Sequence, residues 1–252
     1  MATIVIGDIH GNAAALTRLL RSIEVSNVDT IVFLGDYIDR GRDARGCIEA
    51  ILTLRESSPA QVVCLQGNHE EWFLRTLTDY SRHSWLLGME AFDTIQSYSP
   101  EAASALRSAC RSAGPSLYLG TCELPYQAFF DAMPDSHRTF FLELAFAHES
   151  VDCLCAHAGL DPTIPELSAQ PAAALIWGHP GFPSEYAGVL PVVYGHWNRS
   201  VLGAHGWPTP YVVGNTICVD TSEYGVVTAI RMPDRSVFQS SEHDTRVSQM
   251  SL

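Results

Sequence analysis

The chain has 252 residues, of which 46% are apolar and only 17% charged, against about 25% charged in an ordinary domain. Such a chain builds a sizeable core and is not disordered. The formal net charge of −13, with 15 basic residues that are all Arg, argues against a general binder of nucleic acid or of anionic membranes.

Thr3 to Ile6 is a β-branched run that ends at Gly7 and reads as a buried strand. Asn12 is placed to cap a helix carrying Leu16, Leu19, Leu20 and Ile23 on one stripe. Thr30 to Leu34 reads as a second strand, Asp43 to Arg55 as a second helix, and Gln61 to Leu65 as a third strand, with a helix starting near His69. Strand and helix alternating at this interval predict a βαβαβ unit with a parallel sheet, hence an α/β fold. Residues 71 to about 150 are rich in Ser, Ala and aromatics and broken by prolines; they read as a mainly helical insertion over the sheet. Strands are expected again at Val151 to Ala156, Val189 to Tyr194, Thr216 to Val219 and Gly225 to Arg231, with 161–188 mostly loop. The last dozen residues are polar and expected to fray. The reading is one domain over 1–252.

Seven Cys, an odd number with no C-x-x-C, suggest free thiols in a reducing compartment. No charged leader with an apolar stretch and no apolar run of about 18 residues occurs, so no signal peptide and no membrane span are expected. The cytoplasm is the expected location.

Each of the first three strands ends in a Gly followed by groups that bind hard or borderline metals. These segments are Gly7-Asp8-Ile9-His10-Gly11-Asn12, Gly35-Asp36-Tyr37-Ile38-Asp39-Arg40-Gly41 and Gly67-Asn68-His69-Glu70. Sites in open parallel sheets form beyond the carboxyl ends of the strands, so Asp8, His10, Asp36, Asp39, Asn68 and His69 are expected at one place. His157, in Ala156-His157-Ala158-Gly159, and His196, in Gly195-His196-Trp197, add two later strand ends. Oxygen and imidazole together suit Mn, Fe, Zn or Ni. Six or seven such groups exceed one tetrahedral ion and suit two ions about 3.5–4 Å apart.

These three motifs, in this order, resemble the calcineurin-like metallophosphoesterases, and most of all the serine/threonine phosphoprotein phosphatase branch with its bacterial and phage members. Trp85 to Tyr98 also resembles a segment common in the bacterial members. The resemblance implies a two-sheet β-sandwich flanked by helices. It implies two divalent cations, Mn²⁺ first, with Asp8 and His10 on one, Asp36 between both, and Asn68, His157 and His196 on the second. His69 would be the general acid, Asp39 would orient it, and Arg40 would bind phosphoryl oxygens. The nucleophile implied is a metal-bridging hydroxide, so neither a phosphoenzyme nor a Ser or Cys nucleophile is expected. His69 as a further metal ligand is the alternative.

The implied activity is hydrolysis of phosphoserine or phosphothreonine in proteins, or of small phosphate esters, with no nucleic-acid or membrane partner. A symmetrical diadenosine tetraphosphate hydrolase or another nucleotide phosphatase or phosphodiesterase is the runner-up. Such hydrolases usually carry Ala-Arg where this chain has Asp39-Arg40, and Asp where it has Glu70. A catalytically inactive binding module is the remote alternative, and it predicts lost ligands. The chain departs from the family in three places. Trp197-Asn198-Arg199 follows His196 where Thr-Pro is common, Trp177-Gly178-His179-Pro180 stands where Trp precedes a polar stretch, and no Arg lies between His157 and His196. Arg199 is a candidate for the missing charge. Asp220 is a candidate to orient a ligand His. His83, His137, His148, His179 and His205 read as structural or surface, and Trp72 and Trp85 as packing.

Overall fold

The computed structural model describes residues 2–120, 122–203 and 206–240. The chain begins with β1 (Thr3–Ile6), α1 (Ala13–Ser22), β2 (Thr30–Phe33), α2 (Ala44–Ser57) and β3 (Gln61–Cys64). Asn12 and Asp43 cap the two helices through side-chain oxygens that accept from Ala15 and Gly46. The helices α3 (Asn68–Thr78), α4 (Ser84–Gly88), α5 (Phe92–Tyr98), α6 (Pro100–Ala113), α7 (Ser116–Leu119), α8 (Gln127–Ala132) and α9 (Asp135–Leu142) follow. Then come β4 (Ala147–Glu149), β5 (Leu154–Ala156), α10 (Ala172–Trp177), β6 (Val192–Tyr194), β7 (Val201–Leu202), β8 (Pro208–Thr209), β9 (Tyr211–Val213), β10 (Thr216–Cys218), β11 (Thr228–Met232) and β12 (Ser236–Gln239).

One five-stranded sheet runs β12-β11-β1-β2-β3, with β1, β2 and β3 parallel. A second runs β4-β5-β6-β10-β9, with β5, β6 and β10 parallel. β7 and β8 form a separate hairpin. The two-residue period of the strands divides the core. Ile4, Ile6, Ile31 and Phe33 pack beneath the helices, while Val5, Val32 and Leu34 meet Cys155, Val193 and Ile217 between the sheets. A smaller cluster on the outer face of the second sheet joins Leu160, Leu175 and Phe182 to Tyr194. The fold is thus α/β, with two packed sheets flanked by helices.

Strands two and three of the first sheet end one residue earlier than the sequence reading placed them. β5 starts at Leu154 rather than Val151 because the Ser150 hydroxyl accepts from the backbone of Asp152 and Cys153 and closes a turn there. β11 starts at Thr228 rather than Gly225, since Gly225 closes a short 3₁₀ turn at φ +67°. The 161–188 segment is not all loop; it holds α10, opened by Pro171. β4, β7, β8, β9 and β12 were not anticipated, because two to four residues carry too little periodicity. The expected frayed tail, at 241–252, and His205 lie outside the described residues. All seven cysteines are free, and among the described residues no helix is long and apolar enough to cross a membrane.

Candidate metal centre and active site

The carboxyl ends of both sets of parallel strands open at one place. Asp8 follows β1, Asp36 β2, Asn68 β3, His157 β5, His196 β6 and Asp220 β10. Tight turns aim these side chains inward: His10, Asp36, Asp39, Arg40 and His196 all have φ between +45° and +69°. Left-handed backbone at non-glycine residues costs energy and gathers at functional sites.

Asp36 is the centre of the arrangement. Its Oδ2 lies 3.5 Å from His10 Nε2 and 3.9 Å from His69 Nε2, and its Oδ1 lies 3.4 Å from His157 Nε2. Two clusters share it, one with His10 and His69 and one with His157 and His196. Asn68 Oδ1 joins the second, 3.0 Å from His157 Nε2 and 2.9 Å from His196 Nδ1. Asp8 lies outside both clusters, where its carboxylate accepts the backbone N–H of His196 at 3.1 and 3.2 Å. A side chain at Gly195 would collide with Asp8 Oδ1, which explains the glycine in front of His196.

The ring nitrogens are sorted by their partners. His10 Nδ1 donates to the Ile38 carbonyl at 3.1 Å, and His157 Nδ1 to the Leu34 carbonyl at 3.2 Å. A carbonyl only accepts, so each Nε2 presents a lone pair to the centre. The His157 lone pair, Asn68 Oδ1 and Asp36 Oδ1 therefore converge with no proton between the imidazole and its oxygen neighbours, an arrangement that a cation relieves. On the other side Arg40 Nη1 donates to His10 Nε2 at 3.1 Å, and a positive group already stands at that lone pair. Burial is nearly complete. It holds His10 and His157 well below the ordinary imidazole range and brings His196 down to about 4. Burial raises Asp36 to about 6, and burial together with Asp220 and Asp36 pushes Asp8 up. The lowered imidazoles of His10, His157 and His196 beside the buried carboxylates of Asp8 and Asp36 are a donor set suited to divalent cations.

Asp39 and His69 form a dyad: Nδ1 of His69 lies 2.7 Å from Asp39 Oδ2. Both residues are buried, and His69 Nε2 has no hydrogen-bond partner among the described residues. Burial lowers the affinity of His69 for protons, but Asp36, Asp39 and Glu70 outweigh it and the net displacement is upward.

Several structural contributors were not legible in the sequence. Glu70 is fully buried and accepts the backbone N–H groups of Asp36 at 2.8 Å, Tyr37 at 2.9 Å and Gly67 at 3.1 Å, so it ties the second motif to the third. Its return bond to Gly67, three residues back, was half visible as a capping pattern. Trp85, read as packing, donates its indole N–H to Asp39 at 2.9 Å, and Thr94 donates its hydroxyl to Asp39 at 2.7 Å. Asp220 makes no hydrogen bond to a ligand histidine among the described residues; it accepts from the backbone of Asn198 and from Ser222. The Arg199 guanidinium lies over the Trp197 ring, 5.2 Å from its centroid. His83 and His137 are buried in the insertion beside Tyr126 and Tyr98.

A family description for calcineurin-like phosphoesterases matches residues 1–197. The chain belongs to the calcineurin-like phosphoesterase family. Within this family it is 34% identical over 109 residues to serine/threonine-protein phosphatase 1 of Salmonella typhimurium, a stretch covering 42% of this chain and 48% of that one. It is 36% identical over 66 residues to the serine/threonine-protein phosphatase 6 catalytic subunit of Drosophila melanogaster, covering 26% and 22%. The chain thus spans less than half the length of these curated relatives. Among solved structures, a candidate diadenosine tetraphosphatase superposes with TM-score 0.62 at 19% identity, covering 94% of this chain and 92% of that one. A protein serine/threonine phosphatase from Saccharomyces cerevisiae gives 0.54 at 18%, covering 99% and 77%. At such identities the likeness is one of fold.

Proposed function

We propose that this calcineurin-like phosphoesterase is a metal-dependent phosphomonoesterase of the serine/threonine protein phosphatase kind, acting on phosphorylated proteins or small phosphate esters. The observation that carries it is the Asp39–His69 dyad, whose unpartnered Nε2 faces the double cluster centred on Asp36. His10 and Asp36, with Asp8 beside them as the family resemblance implies, would hold one divalent cation; Asp36, Asn68, His157 and His196 would hold the other, with Mn²⁺ the first choice. When bound, two such cations supply activated water and neutralise charge at phosphorus. The exposed Arg40 fork binds phosphoryl oxygens at the mouth of the site. Protonated His69 gives its Nε2 proton to the leaving oxygen, and Asp39 stays ionised and steadies the imidazolium. Residues 1–252 act as one domain, and the free thiols fit the cytoplasm.

Asp39-Arg40 and Glu70 favour a phosphoprotein over a dinucleotide substrate, by the motif pattern described above. The test is phosphate release from a phosphoserine or phosphothreonine peptide beside nucleotide release from diadenosine tetraphosphate, each with Mn²⁺ and with EDTA. Peptide turnover abolished by EDTA is the expected result. Turnover of the dinucleotide alone moves the substrate to the nucleotide branch.

A further inference from the structure

Asp39 is held from the insertion rather than from the sheet that carries it. The Trp85 indole N–H donates to Oδ2 at 2.9 Å, on the same oxygen that meets His69 Nδ1 at 2.7 Å. The Thr94 hydroxyl donates to Oδ1 at 2.7 Å, and its oxygen accepts the Asp39 backbone N–H at 2.8 Å. Asp39 is wholly buried, and both oxygens are engaged.

The two donors are themselves fixed. The Trp85 ring stands edge-on to Phe73 of α3, with centroids 5.2 Å apart, and lies 5.7 Å from Phe129. Helix α5, which carries Thr94, is tied to the core a second time: Ser97 Oγ accepts the Arg45 N–H at 3.2 Å and donates to the Thr94 carbonyl at 2.7 Å. Asp39 and Arg40 both lie in left-handed backbone at φ +69° and +62°, a costly conformation that persists only where surrounding contacts hold it. The terminal torsion of an Asp carboxylate is broad. One bond to His69 would leave the carboxylate free to turn; donors on both oxygens remove that freedom. Among the described residues, His69 Nε2 has no hydrogen-bond partner of its own to hold the ring.

We propose that Trp85 and Thr94 are positioning residues for the general acid: they lock both oxygens of Asp39, which fixes the tautomer and ring plane of His69 and keeps Nε2 aimed at the leaving-group oxygen. The inference rests on the reading of His69 as the acid. It makes the insertion part of the catalytic apparatus, because the dyad is complete only when α4 and α5 are docked.

The test uses Thr94→Val, Trp85→Phe and, as the conservative variant, Thr94→Ser. Each is assayed with Mn²⁺ on aryl phosphate monoesters running from p-nitrophenyl phosphate, whose leaving group needs no proton, to phenyl phosphate, whose leaving group does. Thr94→Val and Trp85→Phe should each lower kcat on phenyl phosphate roughly 10–100-fold, part of the usual worth of a positioned acid. Loss on p-nitrophenyl phosphate should be much smaller and KM little changed, and Thr94→Ser should recover the rate. Equal losses across the esters, or a serine variant as poor as the valine variant, would overturn the proposal. A second readout needs no turnover: the His69 Nδ1 proton resonance, assigned by its loss in His69→Asn. It should be present in wild type and Thr94→Ser and shifted or lost in Thr94→Val and Trp85→Phe; an unchanged signal in both of the last two overturns the positioning role. A wild type that cleaves no monoester defeats the proposed function instead, and the resonance then decides the positioning alone.

Discussion

Gly67→Ala isolates the packing that sets the central carboxylate. The backbone at 67 is extended, with φ −89° and ψ 174°, a conformation open to any residue. Strain therefore contributes nothing, and the whole cost lies in contact. The added methyl would collide with Asp36 Oδ1, lie 2.5 Å from the Asp36 backbone nitrogen and 2.8 Å from Glu70 Oε2. None of these atoms can swing aside. The Asp36 N–H is bonded to that same Glu70 oxygen at 2.8 Å, and Asp36 sits in left-handed backbone at φ +52°. Overpacking of this kind costs about 1–3 kcal/mol of stability. Misplacing a reacting group by about 1 Å costs on the order of 10²-fold in rate. The variant should thus show kcat on p-nitrophenyl phosphate lowered about 10²-fold, a higher Mn²⁺ activation midpoint and a reduced urea midpoint. Gly120→Ala is the matched control, since it combines φ +62° with open space. It should lose about 1 kcal/mol of stability and keep full activity. A Gly67→Ala enzyme with wild-type kcat and an unchanged Mn²⁺ midpoint would refute the reasoning.

Three further outcomes follow from the same geometry. Asp36→Asn removes the one carboxylate common to both clusters, so calorimetric titration with Mn²⁺ should show both binding events weakened; loss of only one would show that Asp36 does not bridge. His69→Asn should lower kcat by roughly 10²–10⁴-fold, most on esters with poor leaving groups; equal losses on p-nitrophenyl phosphate and a phosphoserine ester would remove the acid role. The third concerns pH in the metal-free protein. Burial and then Asp36 raise Glu70 from 4.5 to about 8, so the folded state keeps a proton that the unfolded chain has released. Stability contributed by that proton is complete below about 4.5 and lost as pH rises through about 8. Between pH 6.5 and 8, above the range where the lowered histidines titrate, the urea midpoint should fall, and the raised His69 adds to the fall in the same sense. A midpoint that rises there contradicts the assignment.

The sequence by itself determined the βαβαβ unit, the chemistry of the donors and their meeting place. Those signals are local. A β-branched run, a glycine and a ligand sit within a few residues, and the parallel topology brings successive strand ends together without further information. It also placed His157 and His196, because each stands within two residues of a glycine at the end of an apolar run. The tertiary structure alone decided what holds these groups still. Trp85 and Thr94 reach Asp39 across 46 and 55 residues, and Trp177 of α10 donates to Glu71 across 106. No periodicity or spacing records such contacts, since a buried indole in an aromatic cluster looks the same in sequence whether its N–H is idle or bonded. Which nitrogen of each imidazole faces the centre was likewise set by distant carbonyls at Ile38 and Leu34. The outer strands of the second sheet, β4 and β9, escaped notice for a related reason. Three residues hold no readable period, and only pairing with neighbours from across the chain makes them strands.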